Sequence, residues 1–254
     1  MGFHRLPYQP GQKTPYKLSR SKIDLFMQCP RCLYLDARLG ISRPSMPAFT
    51  LNSAVDTLLK REFDAHRTKG EPHPLQTLFK VDAIPAAHDQ LNVWRENFKG
   101  VETVHQPTNL RITGAIDDLW INPQDEYIVV DYKATSKAKR VDRLDDTRWH
   151  DQYRRQMDVY QWLLRQVGLT VSDTAYFVYC NGIKDKDEFD AKLDFEIIVF
   201  PYTGKTEWIE PTLAKIKAAL DSETMSEPAA DCEHCAYARS RTEITLNALR
   251  QRKK

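Results

Sequence analysis

Two aspartates and one lysine near the middle of the chain are the residues best suited to chemistry. Asp117 closes the piece Gly114-Ala115-Ile116-Asp117, and Asp131 and Lys133 lie in Val129-Val130-Asp131-Tyr132-Lys133. Residues 127–132 read as a strand, rich in β-branched and aromatic side chains. Strand side chains alternate faces, so Asp131 and Lys133 point together and Tyr132 points away. A charge at the end of so apolar a strand is costly unless it is paired or serves a site. If the strand carrying Asp117 runs alongside, two carboxylates and a backbone carbonyl offer Mg²⁺ or Mn²⁺ the oxygen ligands it prefers, with room for water and a phosphate. An ion held there acidifies its bound water and offsets charge at phosphorus. Lys133 would orient that water or stabilise developing negative charge. No serine or histidine nucleophile is required. Taken singly, each piece also fits ordinary structure: Asp117 as a turn residue beside Asp118, Asp131 and Lys133 as a salt-bridged strand end.

The second constellation is Cys29-Pro30-Arg31-Cys32 with Cys232-Glu233-His234-Cys235. Two C-x-x-C pairs suit a tetrahedral Zn²⁺ or an iron–sulfur cluster. One centre bound by both pairs would close a very long loop and tie the chain ends together. His234 is expected to be exposed, and the isolated Cys180 to be a buried core thiol.

The elements that must position these groups follow from periodicity. Helices are expected from Ser21, from Cys32 to Leu39 after the interruption at Pro30, and from about Pro47, with Phe49, Leu51, Val55, Leu58, Leu59 and Phe63 at helical spacing. Residues 67–89 read as a surface connection, followed by a helix around Leu91 to Phe98. Asn109 to Ile121 and Tyr127 to Tyr132 read as antiparallel strands joined by the turn Asn122-Pro123-Gln124-Asp125. A long helix over 145–166, strands at 174–179 and 193–200, and a helix over 206–220 complete the pattern. This order predicts an α/β domain with a mixed central sheet.

The 254 residues suit one domain with additions, and 41% apolar residues are enough for a core. With 37 basic and 35 acidic residues, the net charge of +2 points to no particular partner. Any nucleic-acid surface must arise from local clustering. Lys133, Lys137, Lys139 and Arg140 form one such cluster, followed by Arg148, Trp149, His150, Tyr153, Arg154 and Arg155. The cations suit phosphates, and Trp149 or Tyr153 suits stacking on an unpaired base. No apolar run approaches the roughly 20 residues that span a bilayer, and the start lacks the apolar core of a secretory signal. A cytoplasmic protein without membrane contact is expected, where reduced thiols favour metal over disulfide.

The order and spacing of these pieces resemble the PD-(D/E)XK nuclease superfamily, and within it the RecB-like branch, from about Ser21 to Tyr237. The resemblance implies a restriction-endonuclease-like α/β fold: a mixed central sheet flanked by helices, with the N- and C-terminal segments joined by a four-cysteine metal site. It implies an Mg²⁺- or Mn²⁺-dependent deoxyribonuclease acting on DNA, with single strands or ends as substrate, in repair, recombination or a related process. A separate helicase or recombination protein would be the partner. Asp117, Asp131 and Lys133 become catalytic residues, joined by Gln156 and Tyr160 as the branch's Q-x-x-x-Y element on the long helix. The family also places a metal ligand, usually histidine, on an upstream helix after a glycine. Here that stretch reads Asn52-Ser53-Ala54-Val55-Asp56, so Asp56 is expected as a third carboxylate ligand beside Asp117 and Asp131. AddB nuclease domains and CRISPR-associated RecB-like nucleases carry a four-cysteine cluster with one upstream and three downstream ligands. The two-plus-two division here (Cys29, Cys32; Cys232, Cys235) leaves [4Fe–4S] as first choice and Zn²⁺ as the alternative. The expected organisation is a flexible arm (1–18), one nuclease-like domain (19–240) and a basic tail (241–254). The competing reading is a nuclease-fold DNA-binding or scaffold module without catalysis. A zinc-stapled interaction protein with accidental motifs is a third.

Overall fold

The computed structural model describes residues 6–45, 47 and 49–252; residues 1–5 of the expected arm and the last two of the expected tail lie outside them. The described chain divides into two compact units. One is built from residues 6–45, 105–110 and 210–252, the other from 49–104 and 111–209 with Pro47.

In the unit built from the chain ends, strand β1 (Tyr16–Ser19) runs into helix α1 (Arg20–Gln28), and helix α2 (Pro30–Leu39) follows. Pro30 takes the first turn of α2, where its missing N–H costs nothing, and Gly40 closes the helix in the left-handed region at φ 70°. The stretch expected to be a loose arm is anchored instead. Tyr8, Tyr16 and Leu18 are buried. The Tyr8 and Tyr16 rings meet edge to face at 5.3 Å, and Tyr8 N–H donates to Ala37 O at 2.7 Å. Single aromatic anchors leave no periodic trace, which is why the sequence read as unstructured. Helix α7 (Ile209–Asp221) buries Leu213, Ile216 and Leu220. Helix α8 (Glu233–Gln251) includes most of the expected tail and buries none of its side chains.

The other unit begins with helix α3 (Thr50–Lys69). Of the apolar residues assigned to its inner face, Leu59 and Phe63 are buried and Val55 is partly so, while Phe49, Leu51 and Leu58 are exposed. The expected surface connection holds helix α4 (Pro74–Leu78) and strand β2 (Ile84–Pro85), with His73 and Gln76 buried. His73 and Gln76 form a capping box at the start of α4. Helix α5 (Leu91–Trp94) is shorter than expected, and strand β3 (Val101–His105) was not anticipated.

Strands β4 (Leu110–Gly114) and β5 (Asp118–Ile121) are separated by a break at 115–117, so Asp117 sits in a bend at the mouth of β5. Strand β6 (Tyr127–Thr135), helix α6 (Arg148–Gln166) and strands β7 (Thr174–Gly182) and β8 (Phe195–Thr203) follow. The main sheet has the order β2-β5-β6-β7-β8. It is mixed: β5 and β6 pair antiparallel, β6 and β7 parallel across the α6 crossover, and β7 and β8 antiparallel. Strand β4 neighbours β3 in a second, smaller sheet.

Register fixes the faces. Asp118 lies opposite Val130, and Tyr132 opposite Val178. Trp120, Ile128, Val130, Tyr132, Val178 and Val199 share one face and pack with Leu59 and Phe63 of α3. Asp131 and Lys133 project from the other face, where α6 lies. No described helix is long and apolar enough to cross a membrane.

Candidate active site and metal centre

The bend before β5 brings Asp117 to the end of β6. Its Oδ2 accepts the Tyr132 N–H at 2.9 Å. Asp131, one residue earlier on β6, is fully buried. Its ion-pair partner is the Lys133 ammonium, two residues along on the same face. The carboxylate's other oxygen has no hydrogen-bond donor among the described residues. Burial pushes the Asp131 carboxyl up to about 7 against the pull of Lys133, and the neighbouring Asp117 carboxylate adds to the rise. Burial works against the Lys133 ammonium, but Asp131 and Asp117 outweigh it and hold its pKa above the ordinary lysine value.

Helix α6 supplies the opposite wall. Lys133 Nζ donates to Gln156 Oε1 at 3.2 Å, and Gln156 Nε2 donates to the Tyr160 hydroxyl at 3.0 Å. The Tyr153 ring lies under the same ammonium, 4.7 Å from Nζ to centroid. Gly114 explains how α6 comes so close: a methyl there would stand 2.8 Å from Tyr160 Cε1 and 3.0 Å from Leu163 Cδ1.

Helix α3 supplies the rim. Asn52 Nδ2 donates to Ala134 O at 2.8 Å, pinning the start of the helix to the end of β6. Asp56 reaches the site one turn later, but its Oδ2 is bonded to Lys60 Nζ at 2.9 Å. The same ammonium stands 3.9 Å from Asp117 Oδ1. Burial and Asp117 raise the Asp56 pKa, opposed by Lys60. A cavity of about 260 Å³ opens between Asn52, Val55, Asp56, Tyr132, Lys133 and Tyr153.

All six residues expected at this site therefore meet there: Asp56, Asp117, Asp131, Lys133, Gln156 and Tyr160. Sequence reasoning missed Lys60 and a buttress beneath the site. Asp118 is fully buried on the opposite face, paired with Arg67 and with Arg95 Nη2 at 2.7 Å, and its Oδ2 accepts the Tyr132 hydroxyl at 2.6 Å. Arg95 Nε also donates to Asp117 O at 3.0 Å, so this network holds the backbone that presents Asp117. The alternation placing Asp118 beside Trp120 was its only trace in the sequence.

The basic cluster divides. His150 is buried, accepting the Asp145 N–H at 2.7 Å through Nδ1 with Lys137 Nζ 3.3 Å from Nε2, and burial lowers its pKa. It is a structural residue within the basic stretch. Arg154 is committed to Asp151 and to the carbonyls of Leu144 and Asp145. Trp149 is exposed. Lys137, Arg140 and Lys184 border a groove of about 710 Å³ beyond the ends of β6 and β7.

In the unit of the chain ends, α1 stops at Cys29 and α8 starts after Cys232, and four sulfurs converge. Cys29 and Cys235 are 3.8 Å apart, Cys32 is 3.6 Å from both Cys232 and Cys235, and all four lie within 4.8 Å. An ion about 2.3 Å from each of four tetrahedral thiolates sets them about 3.8 Å apart. A [4Fe–4S] cube needs wider spacing, since each thiolate caps a different iron around a core that also holds the sulfides. The residues as placed fit a single ion and do not fit the cube. Burial opposes ionisation of Cys29, but N–H groups of Ala229 and Cys32 help bring its pKa down to about 7. Cys235 is pushed up by burial and by the neighbouring sulfurs. Four thiolates so close call for a cation among them. His234 is exposed and Cys180 is buried in the sheet, its thiol pushed up to about 11 by burial.

The PD-(D/E)XK nuclease superfamily model matches residues 17–240, which include both constellations. The chain belongs to this superfamily. Among curated proteins none matches the chain. Membership makes a nuclease that uses a divalent metal and DNA the expected type, and the carboxylate site suits such an ion. Its donors are oxygens, and Asp131 offers one that no group among the described residues satisfies. Asp117 and Asp131 are the residues that would hold it, with Asp56 at the rim already bonded to Lys60.

The buried carboxylate gives this nuclease-fold protein a pH signature. The folded pKa of Asp131, about 7, lies above the ordinary aspartate value of about 3.9. The folded state therefore binds the extra proton between those values, and unfolding free energy falls as pH rises through them. Asp56 and Asp158, also raised mainly by burial, act in the same direction. In Mg²⁺-free buffer Asp131 is expected to lower the urea midpoint between about pH 4.5 and about pH 7. His73, His105 and His150, whose pKa values burial lowers, act in the opposite direction. The Asp131 contribution is therefore read as the parent-minus-Asp131→Asn difference, which is expected to fall over that range. A parent-minus-Asp131→Asn difference that rises over this range would contradict the assignment.

Proposed function

We propose that the protein is an Mg²⁺- or Mn²⁺-dependent deoxyribonuclease of the RecB-like branch, acting on single-stranded DNA or DNA ends. The observation that carries this reading is the convergence of Asp117, Asp131 and Lys133, with one buried Asp131 oxygen that has no donor among the described residues. When bound, the divalent ion supplies an acidified water and charge neutralisation at phosphorus. The protein's own groups do the positioning. Asp117 is fixed by the Tyr132 N–H and by Arg95 on its carbonyl, and its other carboxylate oxygen stands 3.9 Å from the Lys60 ammonium. Lys133, steered by Gln156 and Tyr153, presents its ammonium where a non-bridging phosphate oxygen or the attacking water would lie. Tyr160 orients Gln156 and so acts one step back from the chemistry. Lys137, Arg140 and Lys184 along the neighbouring groove supply phosphate contacts, and exposed Trp149 offers a stacking face for an unpaired base.

The four-cysteine centre, on this reading, holds Zn²⁺ as a structural ion. The support is sulfur spacing that matches one tetrahedral ion, together with a closed ligand set with no open position. This reverses the order of preference that the resemblance suggested.

The reading is tested with purified protein, Mn²⁺ and end-labelled single- and double-stranded oligonucleotides. The parent is expected to degrade the single strand faster, and Asp117→Ala to lower the rate by about 10²-fold or more. Cleavage by Asp117→Ala at the parent's rate would refute the site. Equal rates on both substrates would refute the strand preference alone.

A further inference from the structure

Lys60 is one helical turn after Asp56 on α3, and its ammonium lies between two of the three carboxylates of the site: 2.9 Å from Asp56 Oδ2 and 3.9 Å from Asp117 Oδ1. Its side chain is largely buried, and it meets Asp56 at the i, i+4 spacing that suits a helical ion pair. A position between two carboxylates is where a second divalent ion would be coordinated. The opposite side of Asp117 is different. There Asp131 has a donor-free oxygen, and its counter-charge, Lys133, is also held by Gln156.

We propose that Lys60 is a built-in cation that takes the place of a second divalent ion between Asp56 and Asp117, restricting the site to one ion shared by Asp117 and Asp131. The inference rests on the nuclease reading above. Charge balance supports it. Three carboxylates, two ammoniums, one divalent ion and one phosphodiester carry no net charge, whereas a second divalent ion would leave two positive charges in a partly buried site. The tethered ammonium needs no recruitment from solution. Asp56 then acts as the seat of Lys60 rather than as a ligand, which accounts for an aspartate, and not a neutral imidazole, at this position.

The test counts ions. Protein with its cysteine centre loaded is titrated with Mn²⁺ in the absence of DNA, by calorimetry and by the electron paramagnetic resonance signal of free Mn²⁺. The parent is expected to bind one Mn²⁺ that Asp117→Ala loses. Lys60→Met is expected to bind a second Mn²⁺, or to bind the first at least tenfold more tightly, and Lys60→Arg to stay with the parent. A Lys60→Met protein with the parent's stoichiometry and affinity overturns the proposal, and so does a parent that binds two ions sensitive to Asp117→Ala. If Asp117→Ala changes no Mn²⁺ binding at all, the nuclease reading of the site falls and takes this inference with it. Circular dichroism of each variant confirms that the fold is retained, and Lys60→Gln replaces Lys60→Met if the latter is unfolded.

Discussion

Lys133→Met is expected to lower metal-dependent DNA cleavage by about 10²- to 10³-fold, the effect typical of losing a positioned charge-stabilising group. DNA affinity should change little, because the cations proposed to contact phosphate, Lys137, Arg140 and Lys184, border a separate groove. The variant also disturbs folding in a way that can be isolated. Removing one partner of a buried pair costs roughly 3–5 kcal/mol, since the other is left uncompensated. Asp131 is fully buried and would be left with no counter-charge, so it would take up a proton to a still higher pH. The double variant Asp131→Asn/Lys133→Met removes both charges and should recover much of the lost stability while remaining inactive. Single-turnover cleavage, fluorescence-polarisation binding and urea midpoints on the parent and the two variants separate the contributions. A Lys133→Met protein that cleaves within threefold of the parent would mean the reacting phosphate lies elsewhere.

The second large effect is expected at the cysteines. Cys32 is within 3.6 Å of both Cys232 and Cys235, so its thiolate is the ligand most tightly linked to the downstream pair. If the centre holds zinc as proposed, Cys32→Ser should lose it and release residues 229–235 from α1 and α2. Metal binding and folding are coupled in such sites, because the unfolded chain presents no preformed ligand set. A loss of about 4 kcal/mol would lower Tm by about 10 °C in a chain of this size. Proteolysis should then cut the connection between α7 and α8 more quickly. Elemental analysis of anaerobically purified parent is the decisive companion: stoichiometric zinc without iron or sulfide is expected. Iron and sulfide in its place would restore the cluster. Retention of zinc and Tm by Cys32→Ser would remove Cys32 from the ligand set.

The sequence by itself determined the strand that carries Asp131 and Lys133, because two-residue alternation is a local property. Asp131 and Lys133 share a face whatever the strand packs against, and Tyr132 must turn away. It also determined that the cysteines form matched pairs and that the order of elements demands a mixed sheet. Periodicity likewise located α6 and hence Gln156 and Tyr160. What only the tertiary structure decided depends on partners far apart in the chain. Asp118 is held by Arg67 and Arg95, 51 and 23 residues away, and no local pattern links them. His150, which sits in a basic stretch, is buried because Asp145 and Lys137 close over it. Lys60 gains its place beside Asp117 only where α3 docks against the bend that carries that residue. The spacing of the four sulfurs, which favours one ion over a cube, arises where α1 and α2 meet the start of α8. Local backbone preference fixes which way a side chain faces. Which charges meet is fixed by packing, and burial then sets the strength of their interaction.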